Sequence, residues 1–408
     1  MKSHTSFRYK LGGLSQMVKT LYKLDLSKSM EEQAHPGHNR WHPDIPAAFS
    51  VDPGTSFRME CKDWTDGQIK NDDSPNDIRD VNLARVHVLS GPVYVNGVEP
   101  GDLLVVDILD IGTFQDSAWG FNGIFARENG GSFLVDEFPE AAKSIWDFEG
   151  IYTTSRHVPG VKFAGIIHPG LIGVAPSMEL LQKWNEREKE LIMTNPDRVP
   201  TLANAPTPER AVLGTLKGAE FDRVAKEGAR TVPPRENGGN CDIKNLSKGT
   251  KIFFPVFVEG AKLSVGDLHF SQGDGEITFC GGIEMAGWID LKVDVIKGGM
   301  ETYKIYENPV FQPGPVDPNY NDFLVFQGIS VDNKDGKQHY LDATLAFRRA
   351  CLNAIEYLKT LGYTGEQAYM LLSTAPVESR INGIVDVPNA CCTIAIPTKI
   401  FDKNIMPK

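Results

Sequence analysis

The sequence has few cysteines, with six among 408 residues. The nearest pair, Cys391 and Cys392, are adjacent and so are poor partners for a disulfide with each other. This spacing excludes a disulfide scaffold and predicts a reducing, cytoplasmic compartment.

Positive charge is also scarce, since 42 Lys and Arg face 53 Asp and Glu, for a net charge of −11. Phosphate binding needs clustered Lys and Arg, so a general nucleic-acid partner is excluded. No stretch approaches about 18 apolar residues, which excludes a transmembrane helix. Residues 1–16 lack the apolar core of a secretory signal. We therefore expect a small, neutral substrate and no membrane partner.

Strand patterns dominate residues 17–300. The segment Ile289–Val295 alternates apolar and charged residues, as expected of a strand with one buried face. An Asn-Gly pair before the run at 103–111 predicts a hairpin, and the segments 253–258 and 261–265 repeat the pattern. These strands predict antiparallel or mixed sheets.

Helical patterns are fewer and lie later in the chain. They predict helices at 178–193, at 341–361 and, after a capping box, at 364–372. The predicted fold class is α+β and β-rich, with mixed or antiparallel sheets and a few helices, including one long C-terminal helix. We expect one catalytic unit over residues 17–408, β-rich up to 300 and mixed α/β from 301.

Residues 266–276, GDLHFSQGDGE, form the most informative segment. On a strand, Asp267 and His269 share one face, which is a common way to present two metal ligands. The glycines that follow permit a sharp reversal, so the next strand is expected to return Glu276 beside His269 as a third ligand. The alternative is a polar hairpin whose Asp and Gly residues only serve the turn.

Glu284 lies eight residues beyond Glu276. Along a straight strand this separation is roughly 27 Å, at about 3.4 Å per residue. We therefore expect Glu284 to lie outside the site unless the Gly281-Gly282 pair bends the chain.

A second segment, residues 233–244, combines two prolines and two glycines with Asn237, Asn240 and Asp242. Such a loop exposes backbone N–H groups that could hold an amide or a polar transition state. Cys241 is a candidate nucleophile in the same loop. The alternative is a loop that hydrogen-bonds only to itself.

The remaining histidines carry weaker signals. His42 precedes a proline, which favours an extended loop and a structural, hydrogen-bonded role. On a strand, Glu60 and Lys62 face one side and Cys61 the other, so they do not assemble a Glu-Lys-Cys site. Four single histidines are interpreted as structural or surface residues: His87, His157, His168 and His339.

Several segments together resemble the acetamidase/formamidase family: HNRWHPDIP, ECKDWTDGQIKNDDS, SGPVYVNGVEPGDLLVVDILDI, IWDFEGIYTTSRHVPGVKFAGIIHPGLIG, RTVPPRENGGNCDIKN, VGDLHFSQGDGE, ACLNAIEYL and DVPNAC. The resemblance runs from about Leu26 to Phe401, so residues 1–16 are an extension outside it. It implies hydrolysis of a short aliphatic amide, formamide before acetamide, in a cytoplasmic nitrogen-scavenging role. It also implies a homo-oligomer, a trimer or a dimer of trimers.

The resemblance further implies a divalent metal ion, with zinc as the first expectation, although one His with oxygen ligands also suits Mn²⁺ or Mg²⁺. The residues assigned to the site are Asp267, His269 and Glu276 as metal ligands, Glu276, Asp242 and Asn240 in catalysis, and Asn237, Gly239 and Trp64 in substrate binding. Trp64, Phe270 and Trp288 are candidates for the wall of a small closed pocket.

Two alternatives remain open at this point. The first is a covalent mechanism with Cys241 or Cys61 as nucleophile. The second is a non-catalytic β-rich binding protein, because fold and function are separable.

Overall fold

The computed structural model describes residues 18–194, 207–315, 320 and 322–407. The α-helices are α1 Asn76–Asp80, α2 Met178–Thr194, α3 Gly218–Glu227, α4 Gly299–Tyr303, α5 Ala343–Thr360 and α6 Gly365–Thr374. The strands are β1 Lys19–Tyr22, β2 Arg40–Trp41, β3 Phe49–Val51, β4 Ser56–Cys61, β5 Leu89–Val95, β6 Leu103–Thr113, β7 Trp119–Ile124, β8 Ala142–Glu149, β9 Tyr152–Ser155, β10 Phe163–Ala164, β11 His168–Gly173, β12 Ala229–Arg230, β13 Pro234–Arg235, β14 Gly238–Asn240, β15 Lys251–Pro255, β16 Leu263–His269, β17 Phe279–Met285, β18 Gly287–Ile296, β19 Val310–Gln312, β20 Phe323–Ile329, β21 Glu378–Gly383 and β22 Cys391–Pro397.

A six-stranded sheet has the order β1-β4-β18-β6-β15-β19. In its central strand β18, Ile289, Leu291 and Val293 are fully buried and Asp294 is exposed, as the alternation predicts, whereas Asp290 is buried in an ion pair with Arg58. All pairings in this sheet are antiparallel except that of β1 with β4.

An eleven-stranded sheet has the order β10-β9-β8-β7-β17-β16-β11-β14-β13, with β5 also paired to β16 and β3 paired to β5. In its centre, β16 lies between β11 and β17. His269 of β16 is directly opposite His168 of β11 and Glu284 of β17. This register brings three chemically active side chains into one row across the sheet.

The two predicted hairpins are wrong in their pairing, although the strands exist. β5 pairs with β16 and β6 pairs with β15, so each expected partner belongs to the other sheet. The turns after β5 and β15 are corners where the chain passes between the sheets, and Val95 N–H donates to Gly260 O across the two corners. Alternation locates a strand but does not select its partner.

The C-terminal part confirms the predicted helices. α5 buries one stripe, which includes Ala350, Ala354 and Leu358, against the sheet β20-β22-β21. The capping box of α6 is present, since Thr364 Oγ1 accepts from Gln367 N–H and the Gln367 side chain bonds back to the Thr364 N–H. The fold class is therefore β-rich α+β with mixed and antiparallel sheets, as predicted.

Among the described residues, no helix has both the length and the apolar character needed to cross a bilayer. The predicted extension at residues 1–16 lies outside the described residues. The division of the chain into domains stays a prediction.

Candidate active site

The site is built on the central row of the eleven-stranded sheet. His269 Nε2 lies 2.8 Å from Glu284 Oε2 and 3.3 Å from Asp267 Oδ1. All three side chains are almost completely buried. The predicted meeting of Asp267 and His269 on β16 is thus found, and the neighbouring strand adds a second carboxylate.

Two further carboxylates arrive from loops. Asp242 follows β14, and its backbone N–H donates to Gly170 O at 3.0 Å. The ligand atoms of these side chains form two sets, and within each set the atoms lie within 4.8 Å of one another. One set belongs to Asp242, Asp267 and His269, and the other to His269, Glu276 and Glu284. Five side chains therefore surround one buried space.

The backbone at three of these residues is in the left-handed region. The φ angles are 48° at Asp242, 52° at Asp267 and 47° at Glu276. Such conformations cost on the order of 1–3 kcal/mol each and persist where the surrounding structure enforces them. The backbone conformation at these three residues therefore lowers the stability of the fold while it directs three carboxylates into the site.

Glycines make the close approach possible. A Cβ on Gly170 would lie 2.7 Å from oxygens of both Asp242 and Asp267. A Cβ on Gly282 would meet the His269 ring at 2.6 Å, and one on Gly281 would meet Glu276 Cγ at 2.2 Å. These glycines leave the space that the cluster occupies.

The electrostatics of the cluster are dominated by excess negative charge. Burial and the neighbouring Asp267 raise the pKa of Asp242 to about 7. Burial, partly offset by His269, raises the pKa of Glu284 to about 8, and burial with Asp242 raises the pKa of Glu276 well above its usual range. Burial would also raise the pKa of Asp267, but His269 holds it down to about 2. Burial opposes a charge on His269, yet Glu284 and Asp267 hold its pKa well above the usual value.

The donor set fits a cation. Asp242 Oδ1 is buried without a hydrogen-bond partner, and so is Glu284 Oε2, whose short contact with His269 Nε2 lacks hydrogen-bond alignment. Four carboxyls and one imidazole are the oxygen and nitrogen ligands that divalent ions take in proteins. A bound cation would favour the charged forms of these carboxyls, so it would compete with the protons that their raised pKa values favour.

A cavity of about 320 Å³ opens beside the cluster. Its carboxylate wall consists of Asp242, Asp267, Glu276 and Glu284. The other residues that line the cavity are apolar or uncharged: Trp64, Leu83, Val86, His87, Val232, Pro233, Pro234, Asn240 and Phe279. This volume lies near the lower end of small-molecule sites, which fits a compact ligand.

Glu276 and Glu284 both lie in the cluster, whereas the sequence predicts only Glu276 there. Glu284, and not Glu276, is the strand neighbour of His269, because β17 begins only at Phe279 and the reversal spans the residues before it. Glu276 reaches the cluster from that loop. The pairing of β17 with β7 shifts register between Cys280 and Glu284, where the glycine pair lies, so the stated condition for Glu284 to join is met.

Two histidines that the sequence analysis set aside as structural or surface residues belong to the site. His87 borders the cavity, lies against Trp64 with the rings tilted by 47° and their centroids 5.0 Å apart, and has Nε2 4.0 Å from Asp267 Oδ2. His168 has Nε2 3.3 Å from His269 Nδ1. Their neighbours come from other strands, so no local spacing signals either residue.

The glycine-rich loop contributes unevenly. Asn240 borders the cavity, and its Oδ1 has no hydrogen-bond partner. Asn237 is fully buried and its Nδ2 donates to Val174 O, while Gly239 pairs with Ile172 in the sheet. The structure does not bring Asn237 or Gly239 to the cavity wall, so their substrate contact stays a prediction without support from this geometry.

The candidate nucleophiles are poorly placed. Burial raises the pKa of Cys61 and of Cys241 to about 12 in each case. Cys61 points at Val265 O in the core, with Sγ 3.8 Å from that oxygen. Because the thiolate is the reactive form, the geometry opposes the covalent alternative.

The aromatic candidates separate clearly. Trp64 borders the cavity, as predicted for at least one of the three. Phe270 stacks on Phe148 in the core at 4.0 Å, and Trp288 lies under the Arg58 guanidinium at 3.6 Å. His42 has the predicted structural role, since its Nε2 bonds Glu227 at 3.0 Å.

Carboxyl groups with raised pKa values, a histidine and a small cavity are the groups that hydrolases use for acid–base chemistry. The chain belongs to the acetamidase/formamidase family, whose sequence profile matches residues 23–403. It is therefore an amidohydrolase, in agreement with the resemblance.

Individual relatives agree over nearly the whole chain. A formamidase from Methylophilus methylotrophus is 64% identical over 96% of this chain and 95% of its own length. An acetamidase from Mycolicibacterium smegmatis is 62% identical over 89% of this chain and 91% of its own length. Among solved structures, a gamma lactamase from Delftia acidovorans superposes with a TM-score of 0.94 at 63% identity, covering 96% of this chain and 95% of that one.

Proposed function

We propose that this enzyme hydrolyses formamide to formate and ammonia, and other short aliphatic amides more slowly. One observation supports this most directly: four carboxyls, which cluster around the buried His269, form one wall of a small cavity whose other lining residues are apolar or uncharged. A neutral amide suits such a cavity, whereas an anionic substrate would be repelled by the carboxylates. The similarity to the formamidase over 96% of the chain adds support.

We propose that a divalent metal ion, zinc in the first instance, is held by Asp267, His269 and Glu284, with Asp242 at hand. When bound, such an ion supplies a Lewis acid for the carbonyl oxygen and lowers the pKa of a nearby water. The unpartnered oxygens of Asp242 and Glu284 support this ligand set.

Glu276 is the proposed general base and acid. Burial and the neighbouring carboxyl of Asp242 raise the pKa of Glu276 well above its usual range, so this carboxyl can take up and hold a proton. It accepts a proton from the attacking water as the oxygen bonds to the carbonyl carbon. It then returns that proton to the nitrogen as the C–N bond breaks, which releases ammonia and leaves formic acid, and the formic acid ionises to formate.

Asn240 is the proposed contact for the amide group. Its unpartnered Oδ1 can accept a hydrogen bond from the substrate NH₂, and its Nδ2 can donate to the oxygen that becomes negative. An ester lacks the NH₂ hydrogens, so this contact favours amides over esters.

A second candidate is a slightly larger amide, such as acetamide or a cyclic amide. It is favoured by the apolar walls around Trp64, which formamide alone does not fill. The similarity to an acetamidase and to a gamma lactamase supports the same range of amide substrates.

Ammonia release tests both candidates in one series. We expect the purified enzyme to release ammonia from formamide faster than from acetamide, propionamide or a five-membered lactam, and to lose activity with a metal chelator but not with a thiol-alkylating agent. No ammonia from any of these amides would contradict the proposed function, and inactivation by alkylation alone would restore the cysteine mechanism.

We also propose a homo-oligomer, a trimer or a dimer of trimers, in the cytoplasm. All six cysteines are free thiols, which suits a reducing compartment. Exposed apolar side chains on and after edge strand β21 suit a contact between subunits: Ile381, Ile384, Val385 and Val387. Light scattering of the purified protein measures the subunit number directly.

A further inference from the structure

Behind the carboxylate cluster lies a buried glutamine of the segment 266–276 to which the sequence assigns no role. Gln272 follows β16 by three residues and is 2% exposed. Its Oε1 is 2.8 Å from His269 Nδ1, and its Nε2 donates to the Asp242 backbone oxygen at 2.6 Å. One side chain thus touches two of the segments that carry the site.

The orientation of this amide follows from its partners. The Asp242 backbone oxygen can only accept, so the NH₂ of Gln272 must face it and Oε1 must face His269. Oε1 carries no hydrogen, so the hydrogen in the 2.8 Å contact belongs to His269 Nδ1. The other ring nitrogen, Nε2, then points at Asp267 and Glu284.

His168 closes the arrangement from the neighbouring strand. Its Nδ1 donates to the Ile166 backbone oxygen at 2.6 Å, so Nε2 of the neutral ring carries no hydrogen. This Nε2 lies 3.1 Å from Gln272 Oε1 and 3.3 Å from His269 Nδ1, so it is a second acceptor for the hydrogen on His269 Nδ1. The ring stands edge-on to His269, with centroids 5.1 Å apart. It therefore confines both the Gln272 amide and the His269 ring.

We propose that Gln272 is a positioning residue that holds the hydrogen of His269 on Nδ1 and so presents Nε2 to a divalent cation in the carboxylate cluster. The inference rests on the proposed metal site. Partners of this kind typically change metal affinity by about 10–100-fold when they are removed.

The test measures metal affinity and not only activity. Wild type, Gln272→Met and Gln272→Glu are stripped with a chelator and titrated with Zn²⁺ in competition with a chromophoric chelator. Methionine has a similar volume but removes both hydrogen bonds, whereas glutamate keeps the acceptor for Nδ1 and loses the donor to Asp242. We expect affinity to fall about 10–100-fold in Gln272→Met and to stay within about threefold of wild type in Gln272→Glu.

Gln33 offers a matched control. It is also buried, at 6% exposed, and both ends of its amide bond to backbone groups of residues 25–29, away from the cavity. Gln33→Met should bind zinc like wild type. A similar loss in this variant would mean that any buried glutamine matters, which would overturn the assignment.

The remaining outcomes are equally decisive. Wild-type affinity in Gln272→Met would overturn the inference. Equal loss in both Gln272 variants would make the residue a tether for Asp242 and would overturn it as well. If Gln272→Met does not fold, Gln272→Glu alone decides, because a tether predicts loss and the positioning role predicts retention. A wild type that binds no zinc at all would instead contradict the proposed function.

Discussion

The residues around Asp66 and those around His269 both form clusters with buried charged side chains, and the two clusters differ in the balance between positive and negative groups. Around Asp66, Lys62 Nζ lies 2.8 Å from Oδ1, Arg85 Nε donates to Oδ2 at 2.6 Å and Met30 N–H donates at 3.0 Å. Glu31 lies 3.7 Å from Arg85, so two cations meet two carboxylates. Neither oxygen of Asp66 lacks a partner.

The cluster around His269 is built in the opposite way. Four carboxyls face one imidazole, and two buried carboxylate oxygens lack partners. In a structural ion pair the oxygens of the buried carboxylate have partners, as they do at Asp66, whereas a site that receives ligands leaves carboxylate oxygens open. The Asp66 cluster therefore serves stability and the His269 cluster serves chemistry.

The largest effect is expected from His269→Gln. The variant loses the Nε2 ligand, and with it several kcal/mol of transition-state stabilisation, so hydrolysis of formamide should fall about a thousandfold or more. Circular dichroism and light scattering should show a folded oligomer. Because His269 is fully buried, a variant that yields no folded protein would assign the residue to stability and contradict the comparison.

Asp66→Asn should reverse this pattern. Asparagine tolerates the left-handed backbone of Asp66, where φ is 66°, but it leaves Lys62 and Arg85 without their buried partner. We expect a loss of about 3 kcal/mol in the free energy of unfolding, with turnover per folded molecule close to wild type. Urea unfolding followed by tryptophan fluorescence measures the first quantity and ammonia release the second. A large drop in turnover with unchanged stability would erase the distinction between the clusters.

The sequence was sufficient for the parts of the site that are local. Asp267 and His269 lie two apart on one strand, and a glycine-rich loop marked Asp242. Glu284 and His168 depend on the register of β17 and β11 against β16, and that register is set by long-range packing. No pattern within a few residues of Glu284 or His168 predicts that either side chain joins the site.

The same limit applies to the fold. Periodicity located β18 and the long helix α5, and capping chemistry located α6, because these signals are contained in one segment. The pairing of β5 with β16 and of β6 with β15 is decided by which sheet buries each strand. A turn such as Asn96-Gly97 looks the same in a hairpin and at a corner between two sheets.

Glu276→Gln should have the next largest effect. As the proposed general base it should leave zinc bound while turnover falls at least about a hundredfold, the usual scale of acid–base catalysis. Glu284→Gln is the matched comparison, since it removes a proposed ligand and should weaken zinc binding. Zinc analysis by mass spectrometry and steady-state kinetics separate the two variants. Loss of zinc from Glu276→Gln would make Glu276 a ligand.

The pH dependence of the metal-free protein distinguishes the clusters without any substitution. Carboxyls whose folded pKa is raised bind more protons in the folded than in the unfolded state, so they stabilise the fold at low pH and lose that contribution as pH rises. With the pKa of Asp242 at about 7 and that of Glu284 at about 8, stability should fall between pH 6.5 and 8.

His269 acts in the same direction, because its pKa is also raised. His38 and His168 have lowered pKa values, of about 4 and about 3, and change stability mainly below pH 6.5, so they do not cancel the effect. Zinc affinity should rise over the same interval, since the proton must leave before the metal binds. A metal-free protein that gains stability from pH 6.5 to 8 would contradict this account.

The smallest effect concerns the uncharged wall of the cavity. Trp64 is 3% exposed, borders the cavity that the carboxylates line and lies against His87 with ring centroids 5.0 Å apart, so we expect its bulk to limit the size of the acyl group. In wild type we expect rates to fall from formamide to acetamide to propionamide, since each methyl group is worth about 1–3 kcal/mol in such a pocket. Trp64→Phe should flatten the series by about tenfold, within the same range.

Trp288→Phe is the matched control, because Trp288 lies under Arg58 and its Nε1 donates to the Thr113 backbone oxygen, so the series should keep its slope. If wild type hydrolyses butyramide as fast as formamide, the wall does not select the acyl group, and a broad aliphatic amidase becomes the better description of the same carboxylate cluster.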